Sequence, residues 1–368
     1  MLEEIFEKLD GFNECKLSIE ELKELYSTNY NSYNDITFVL NIFSSRNNAR
    51  DLIDLFGRDK VALNIDELTE NTICYIGDLT IDRKLPIYNL KYIYGNMDYE
   101  LDEICNLENL ELISGKANLK KLYSLEGLES LKIVGEDLLL NILRSIAYLG
   151  ELIYVGGDLS INYVEDAIGL ESLTHVGGSL SLQYIEDAKG LENLEYIGKN
   201  AYFGYLENAE SLINLKYIGF RAFFHKLIYP FGLENLEYIG GSAYFDNLES
   251  AECLESLKYV GDAIFPKLED SYGLEKIEKI YGNAYFDSLK DAKGLKSLKC
   301  IWGNAYFNVL ESAEGLEKLE SIIGGANFPC LKNIESLENL VNISGKQNFG
   351  GMSLSEFRDR SKSLCLKK

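Results

Sequence analysis

From about residue 70 onward the apolar residues fall at a spacing that neither a helix nor a long strand produces. In the stretch that begins at Ala243, Ala243 and Phe245 alternate around Tyr244, the period expected of a short strand. Apolar residues then stand at every third position, at Leu248, Ala251, Leu254, Leu257 and Val260. That spacing suits a chain turning in short segments about a central axis, with one inward side chain per three residues. The pattern then starts again. Strand anchors equivalent to Ala243 stand at Leu79, Met97, Ala117, Leu138, Leu159, Leu180, Ala201, Ala222, Ala263, Ala284, Ala305, Ala326 and, weakly, Gln347. Glycines mark the same period: Gly135, Gly156, Gly177, Gly198, Gly219, Gly240, Gly261, Gly282, Gly303, Gly324 and Gly345 are each 21 residues apart. Seven inward residues per unit cannot make a core alone, so each turn must stack on its neighbours. The pattern predicts a repeat solenoid of about 14 rungs with short parallel strands, with a parallel β-helix as the alternative.

The two ladders disagree once. From Ala243 to Ala263 the step is 20 residues, and the glycine moves from three residues before the anchor to two. The anchor carries buried volume, whereas the glycine need only stay within a permissive turn, so the anchor is expected to keep the register.

The repeats resemble the leucine-rich-repeat class, and most of all its receptor L-domain style, in which GL-x-SL-x-x-I-x-G-x-L-x-I recurs. Here it reads GLESLTHVGGSLSLQYI from Gly169 and GLENLEYIGGSAYF from Gly232, and the resemblance covers about 70 to 350. It implies stacked short parallel strands. The chain departs from the family after the strand, where the family's asparagine is replaced by Val164, Leu206, Leu248, Leu289 and Leu310, so that asparagine ladder is missing.

The ends differ from the middle. In 1–70, LSIEELKELY from Leu17 and NNARDLIDLFG from Asn47 read as helices, the first with Ser18 and Glu21 in capping-box spacing. LNIDELTENT from Leu63 is expected to close the set, giving a helical cap over the first rung or a small helical domain. The solenoid occupies 71–350, and SLSEFRDRSKSL from Ser353 predicts a capping helix within 351–368.

Stacked turns bring equivalent residues to about 4.8 Å of one another, so each column can be read as a unit. Phe203, Phe224, Phe245, Phe265, Phe286, Phe307, Phe328 and Phe349 form an inward spine. Glu195, Lys216, Glu237, Lys258, Glu278, Lys299 and Glu320 alternate in sign, as expected of a register device. Beside them runs Tyr154, His175, Tyr196, Tyr217, Tyr238 and Tyr259, a stacked aromatic column. Directly after the anchor come Tyr202, Phe223, Tyr244, Ile264, Tyr285 and Tyr306, which face out from the strand. Ser160 and Ser181 precede this block, and Asn327 and Asn348 follow it. Arg221, His225, Asp246, Asp262 and Asp287 stand nearby. Aromatics with a few charges make the composition of an interface centre; the competing expectation is a stacking brace for the sheet.

Charge narrows the class of partner. The 368 residues include 59 acidic against 36 basic, a net charge of -23, which should repel nucleic acid and anionic membrane. Seven scattered cysteines without a CxxC pair read as reduced thiols of a cytoplasmic protein. The start, MLEEIFEKLDGF, has no basic n-region or apolar h-region, and no apolar run nears the roughly 18–20 residues of a membrane span. Two histidines without metal-spaced partners, and no P-loop, dinucleotide fingerprint or HExxH, point away from an enzyme, a cofactor or a metal. The expected function is a non-enzymatic scaffold that binds a protein partner on its strand face. The alternatives are an acidic inhibitor that fills the nucleic-acid channel of an enzyme, as bacterial or phage anti-defence proteins do, and a structural or adhesive repeat.

Overall fold

The computed structural model describes residues 52–53, 56–143, 145–162, 164–332 and 335–365. The helix expected from Leu17 lies outside the described residues, and of the one expected from Asn47 only Leu52, Ile53 and Phe56 are described as helical. LNIDELTENT does not form an α-helix: only Ile65–Glu67 turns, as a 3-10 helix that Asn64 caps by accepting from the Asp66 N–H at 3.1 Å.

The solenoid predicted from the periodicity is the fold observed. A strand begins at every predicted anchor, from Leu79–Ile81 and Met97–Tyr99 through Ala243–Tyr244 to Gln347–Phe349. Neighbours pair in parallel, with Ala222 opposite Ala243, Ala243 opposite Ala263, and Ala263 opposite Ala284. The 20-residue step therefore preserves the anchor register.

Each turn carries a second parallel strand that the spacing did not reveal. Tyr196–Ile197, Tyr217–Ile218, Tyr238–Ile239, Tyr259–Val260, Lys279–Ile280 and Cys300–Ile301 belong to this series, with the aliphatic residue inward and buried. A corner joins the two strands of a turn. Between Ile239 and Ala243 it has three residues, Gly240, Gly241 and Ser242, and between Val260 and Ala263 only two, Gly261 and Asp262. A Cβ on Gly240 would lie 2.2 Å from the Gly219 carbonyl oxygen of the preceding turn, so only glycine fits. The corner that lost a residue is where the glycine changes place; the next corners read Tyr281–Gly282–Asn283 and Trp302–Gly303–Asn304.

The recurring GLENL phrase and its variants, GLEKI from Gly273 and SLINL from Ser211, are accounted for atom by atom. Its glycine takes a positive φ, 98° at Gly273, and its N–H donates to the glutamate two residues on, Gly273 to Glu275 Oε2 at 3.1 Å and Gly232 to Glu234 Oε1 at 3.1 Å. Both leucines are buried. The asparagine between them donates to a carbonyl one turn back: Asn193 to Glu171, Asn214 to Glu192 and Asn235 to Ile213, at 2.6–2.8 Å. The position after the strand stays apolar and buried, at Leu206, Leu248, Leu289 and Leu310. In these three turns a backbone carbonyl is thus satisfied by asparagines at a different point of the turn.

The chain forms two compact units, one running up to Ile161 together with Ser172–Val176, the other made of Asn162–Glu171 and Gly177–Lys368. In the first, strands Cys74–Ile76 and Tyr92–Tyr94 are buried on both faces. Their outer residues join Leu52, Ile53 and Phe56 in one cluster, with the Phe56 and Tyr92 rings stacked at 5.7 Å. In the second, the phenylalanine spine from Phe203 to Phe349 is fully buried, its rings stacked at 4.8–5.6 Å. The helix expected from Ser353 spans Leu354–Cys365. The Ser353 N–H donates to Glu356 Oε2 at 2.8 Å, and the Glu356 N–H donates to Ser353 Oγ at 3.3 Å. Leu354 and Phe357 are buried, and Arg358 donates to the carbonyls of Leu337 and Leu340 at 2.9 Å.

Candidate functional site

All of the candidate residues lie in the second unit. The strands Ala201–Tyr202, Ala222–Phe223, Ala243–Tyr244, Ala263–Ile264, Ala284–Tyr285 and Ala305–Tyr306 each bury the alanine and turn the next residue outward. Parallel register sets these residues directly opposite one another: Tyr202 beside Phe223, Phe223 beside Tyr244, Tyr244 beside Ile264, Ile264 beside Tyr285, Tyr285 beside Tyr306. The rings stack almost parallel. Tyr202, Phe223 and Tyr244 follow one another at 4.9 Å with interplanar angles of 7° and 4°, and Tyr285 and Tyr306 stack at 4.9 Å and 8°. All six residues are half-buried, because each covers part of its neighbour. The residues thus face out from the strand as expected, but partly covered.

The charged candidates separate into three places. His225 and Asp246 belong to the ladder: His225 Nδ1 lies 2.6 Å from Asp246 Oδ2, and its ring tilts against Phe223 at 5.6 Å and Tyr244 at 5.9 Å. Arg221 turns to the corner instead, its guanidinium 5.0 Å over the Phe220 ring. Asp262 and Asp287 sit by Tyr285. Burial, the Tyr306 hydroxyl and then these two carboxylates hold the Tyr285 phenol above its ordinary value.

Hydrogen bonds at the corner, which the periodicity did not disclose, fix those groups. Asp262 Oδ2 accepts from Ser242 Oγ at 2.7 Å, and Asp262 Oδ1 from the Asn283 N–H at 2.6 Å. Asn283 Oδ1 accepts from the Asn304 N–H at 2.9 Å, and Asn304 Oδ1 from the Gly325 N–H at 2.7 Å. The available signal was a run of Asn, Asp and Ser immediately before the anchor alanines.

The charge column pairs as its order requires. Lys216 reaches Glu195 at 2.9 Å, Lys258 reaches Glu237 at 2.6 Å, and Lys299 reaches Glu278 at 2.7 Å. The Glu237 carboxyl is held below its usual range by the hydrogen bond from Lys258, then by that lysine's charge, with Lys276 and Lys216 adding to it. A depressed carboxyl contributes stability above its unfolded pKa and loses it as pH falls through the folded value. Lys258→Glu sets three carboxylates in line, so we expect unfolding midpoints to fall more at low ionic strength than at high. Equal losses at both would show that the order of the column is not electrostatic.

The adjacent tyrosines behave differently along their length. Tyr196, Tyr217 and Tyr238 stack at 4.7 Å within 4°, whereas Tyr238 and Tyr259 tilt to 50°. Beyond the shortened corner the aromatic residue lies one place after the inward aliphatic, at Tyr281 and Trp302, which meet edge to face at 5.3 Å. An open cleft of about 430 Å³ lies over Gly240, lined by Tyr238, Ile239, Tyr259 and Tyr281.

Among the described residues no group of three or more His, Cys, Asp or Glu is placed to hold a metal, and no helix is long and apolar enough to cross a membrane. Burial and then Glu234 push the Cys253 thiol up to about 11, which keeps it protonated and weakly nucleophilic.

No family model matches this chain, and no curated protein matches it. Among solved structures it is similar to an internalin from Listeria monocytogenes, at 15% identity and a TM-score of 0.38, over 85% of this chain and 97% of that one.

Proposed function

We propose that the protein is a non-enzymatic scaffold that binds a protein partner on the strand face carrying Tyr202, Phe223, Tyr244, Ile264, Tyr285 and Tyr306. The observation that supports this reading is the ladder itself, outward aromatic rings held parallel before any partner arrives. Ordered side chains lose little rotamer freedom on binding, which removes one of the main costs of association. His225 and Asp246 add a polar pair at the same place. The free cysteines among the described residues, Cys74, Cys105, Cys253, Cys300 and Cys330, fit a cytoplasmic setting.

The acidic-mimic alternative requires an uncompensated array of carboxylates. Some turn acids stand next to lysines, Glu269 with Lys290 at 2.7 Å and Glu311 with Lys332 at 2.6 Å, but a net charge of -23 leaves an excess of carboxylates, so salt separates the two readings: a mimic loses affinity steeply as ionic strength rises.

Capture of a partner from a cognate lysate, followed by titration with variants, tests the proposal. Tyr244→Ala is expected to weaken binding by about 2 kcal/mol or more, with Tyr202→Ala and Tyr306→Ala at the rims costing less. Because Tyr244 stacks on Phe223, its loss should also remove the roughly 0.5–1.5 kcal/mol of an aromatic pair from folding. Intact affinity with a lowered melting point would make the column a brace and not a site.

A further inference from the structure

The aromatic ladder has one gap. Tyr244 and Tyr285 are the same register position two turns apart, with Ile264 between them. At the strand spacing that separation is about 9.6 Å, room for one more planar group between the two ring faces. Ile264, aliphatic and half-buried, supplies the floor. A flat group inserted there would stand about as far from each ring as the existing rings stand from one another, 4.9 Å.

The surrounding charge selects the group. The nine residues at the gap position and two places either side of it on the three turns are Ser242, Tyr244 and Asp246, then Asp262, Ile264 and Pro266, then Asn283, Tyr285 and Asp287, with three carboxylates and no lysine or arginine. Two of the carboxylates are oriented in advance, Asp262 by Ser242 and Asn283, and Asp287 by Asn308 Nδ2 at 2.6 Å. Each bond occupies only part of a carboxylate's capacity of about four acceptor sites. A neutral aromatic ring would fill the gap but desolvate the acids without compensation. An ammonium would meet the charge but has no plane to stack. A guanidinium does both, lying between two ring faces while donating to carboxylates at its edge.

We propose, on the reading that the strand face is the docking site, that the gap at Ile264 is a slot for an arginine side chain of the partner. Tyr244 and Tyr285 sandwich its guanidinium, and Asp262 and Asp287 receive its N–H groups. The recognised partner is therefore a protein segment that presents an arginine.

The probe is a blocked pentapeptide with one central arginine flanked by glycines, alongside its lysine and citrulline counterparts. It is titrated into the whole protein carrying 13C-labelled tyrosine. Saturable shifts of the Tyr244 and Tyr285 ring signals are expected with the arginine peptide, at a Kd at least about tenfold below those of the other two. Ile264→Tyr completes the ladder with the residue its neighbours already carry and should abolish the shifts, with the melting transition recorded beside it to show that the variant is folded. Asp287→Asn keeps the shape and should weaken binding about fivefold, a second reading that does not depend on how the tyrosine packs. Equal binding of the arginine and lysine peptides, no saturable ring shift, or unchanged binding by Ile264→Tyr would each overturn the slot. With a captured partner the two levels separate. Loss with both Tyr244→Ala and Ile264→Tyr supports the slot. Loss with Tyr244→Ala alone leaves the face as the site but removes the arginine, and no loss with either refutes the face itself.

Discussion

Phe245→Ala is expected to lower the free energy of unfolding by about 3–5 kcal/mol. Phe245 is fully buried and stacks on Phe224 at 5.1 Å and on Phe265 at 5.2 Å. Truncation therefore strips two neighbours of a ring face as well as removing its own buried surface. The strand Ala243–Tyr244 is held in register to a neighbour on each side, so the turn has little freedom to close around the void. Denaturant unfolding of the variant measures the loss. Phe349→Ala is the internal comparison, because Phe349 stacks on Phe328 at 5.2 Å with no later ring of the spine beyond it, and it should cost less. Equal small losses at both positions would mean that the spine does not carry the stability of the middle turns.

Gly273→Ala should cost about 3 kcal/mol or more, from two independent sources. Its φ of 98° strains any residue with a side chain, and an added Cβ would lie 1.8 Å from the Ala251 carbonyl oxygen of the preceding turn. The clash is backbone against backbone, so no rotamer relieves it. Gly351 has a similar φ of 88° but an added Cβ there meets nothing within 4 Å, so Gly351→Ala should show the conformational part alone, about 1 kcal/mol. Melting both variants separates strain from close approach. Comparable losses would show that the turns can move apart by the width of a methyl group.

These two positions also mark how far the sequence could be read. Phe245 and its column were legible because burial repeats at a fixed interval and a stacked fold has one place for such residues. The second strand was not, because Tyr238–Ile239 is only two residues long and shows no run of alternation. Asn235 and Asn214 gave no sign of their work, since each bonds to a carbonyl 22 residues earlier, a partner that exists only once the turns are stacked. The outward aromatic block was visible as composition, but its parallel stacking follows from register. Ile264 illustrates the limit well: among the tyrosines it counts as one more bulky residue, and only the spacing of the rings around it makes it a gap. Arg221 was placed on the strand face by position, whereas the ring of Phe220 beside it draws its side chain to the corner.

The alternating column sets a rule on how such a chain can lengthen or shorten. Sheets and spine repeat with one turn, so for them any number of turns is acceptable. The sequence Glu195, Lys216, Glu237, Lys258, Glu278, Lys299, Glu320 repeats only with two. Excision of one turn from its middle would seat lysine on lysine or glutamate on glutamate, whereas excision of two would restore every pair. Over these seven turns the molecule counts geometrically in ones but electrostatically in twos, so turns removed or added there in pairs should be tolerated better than single ones.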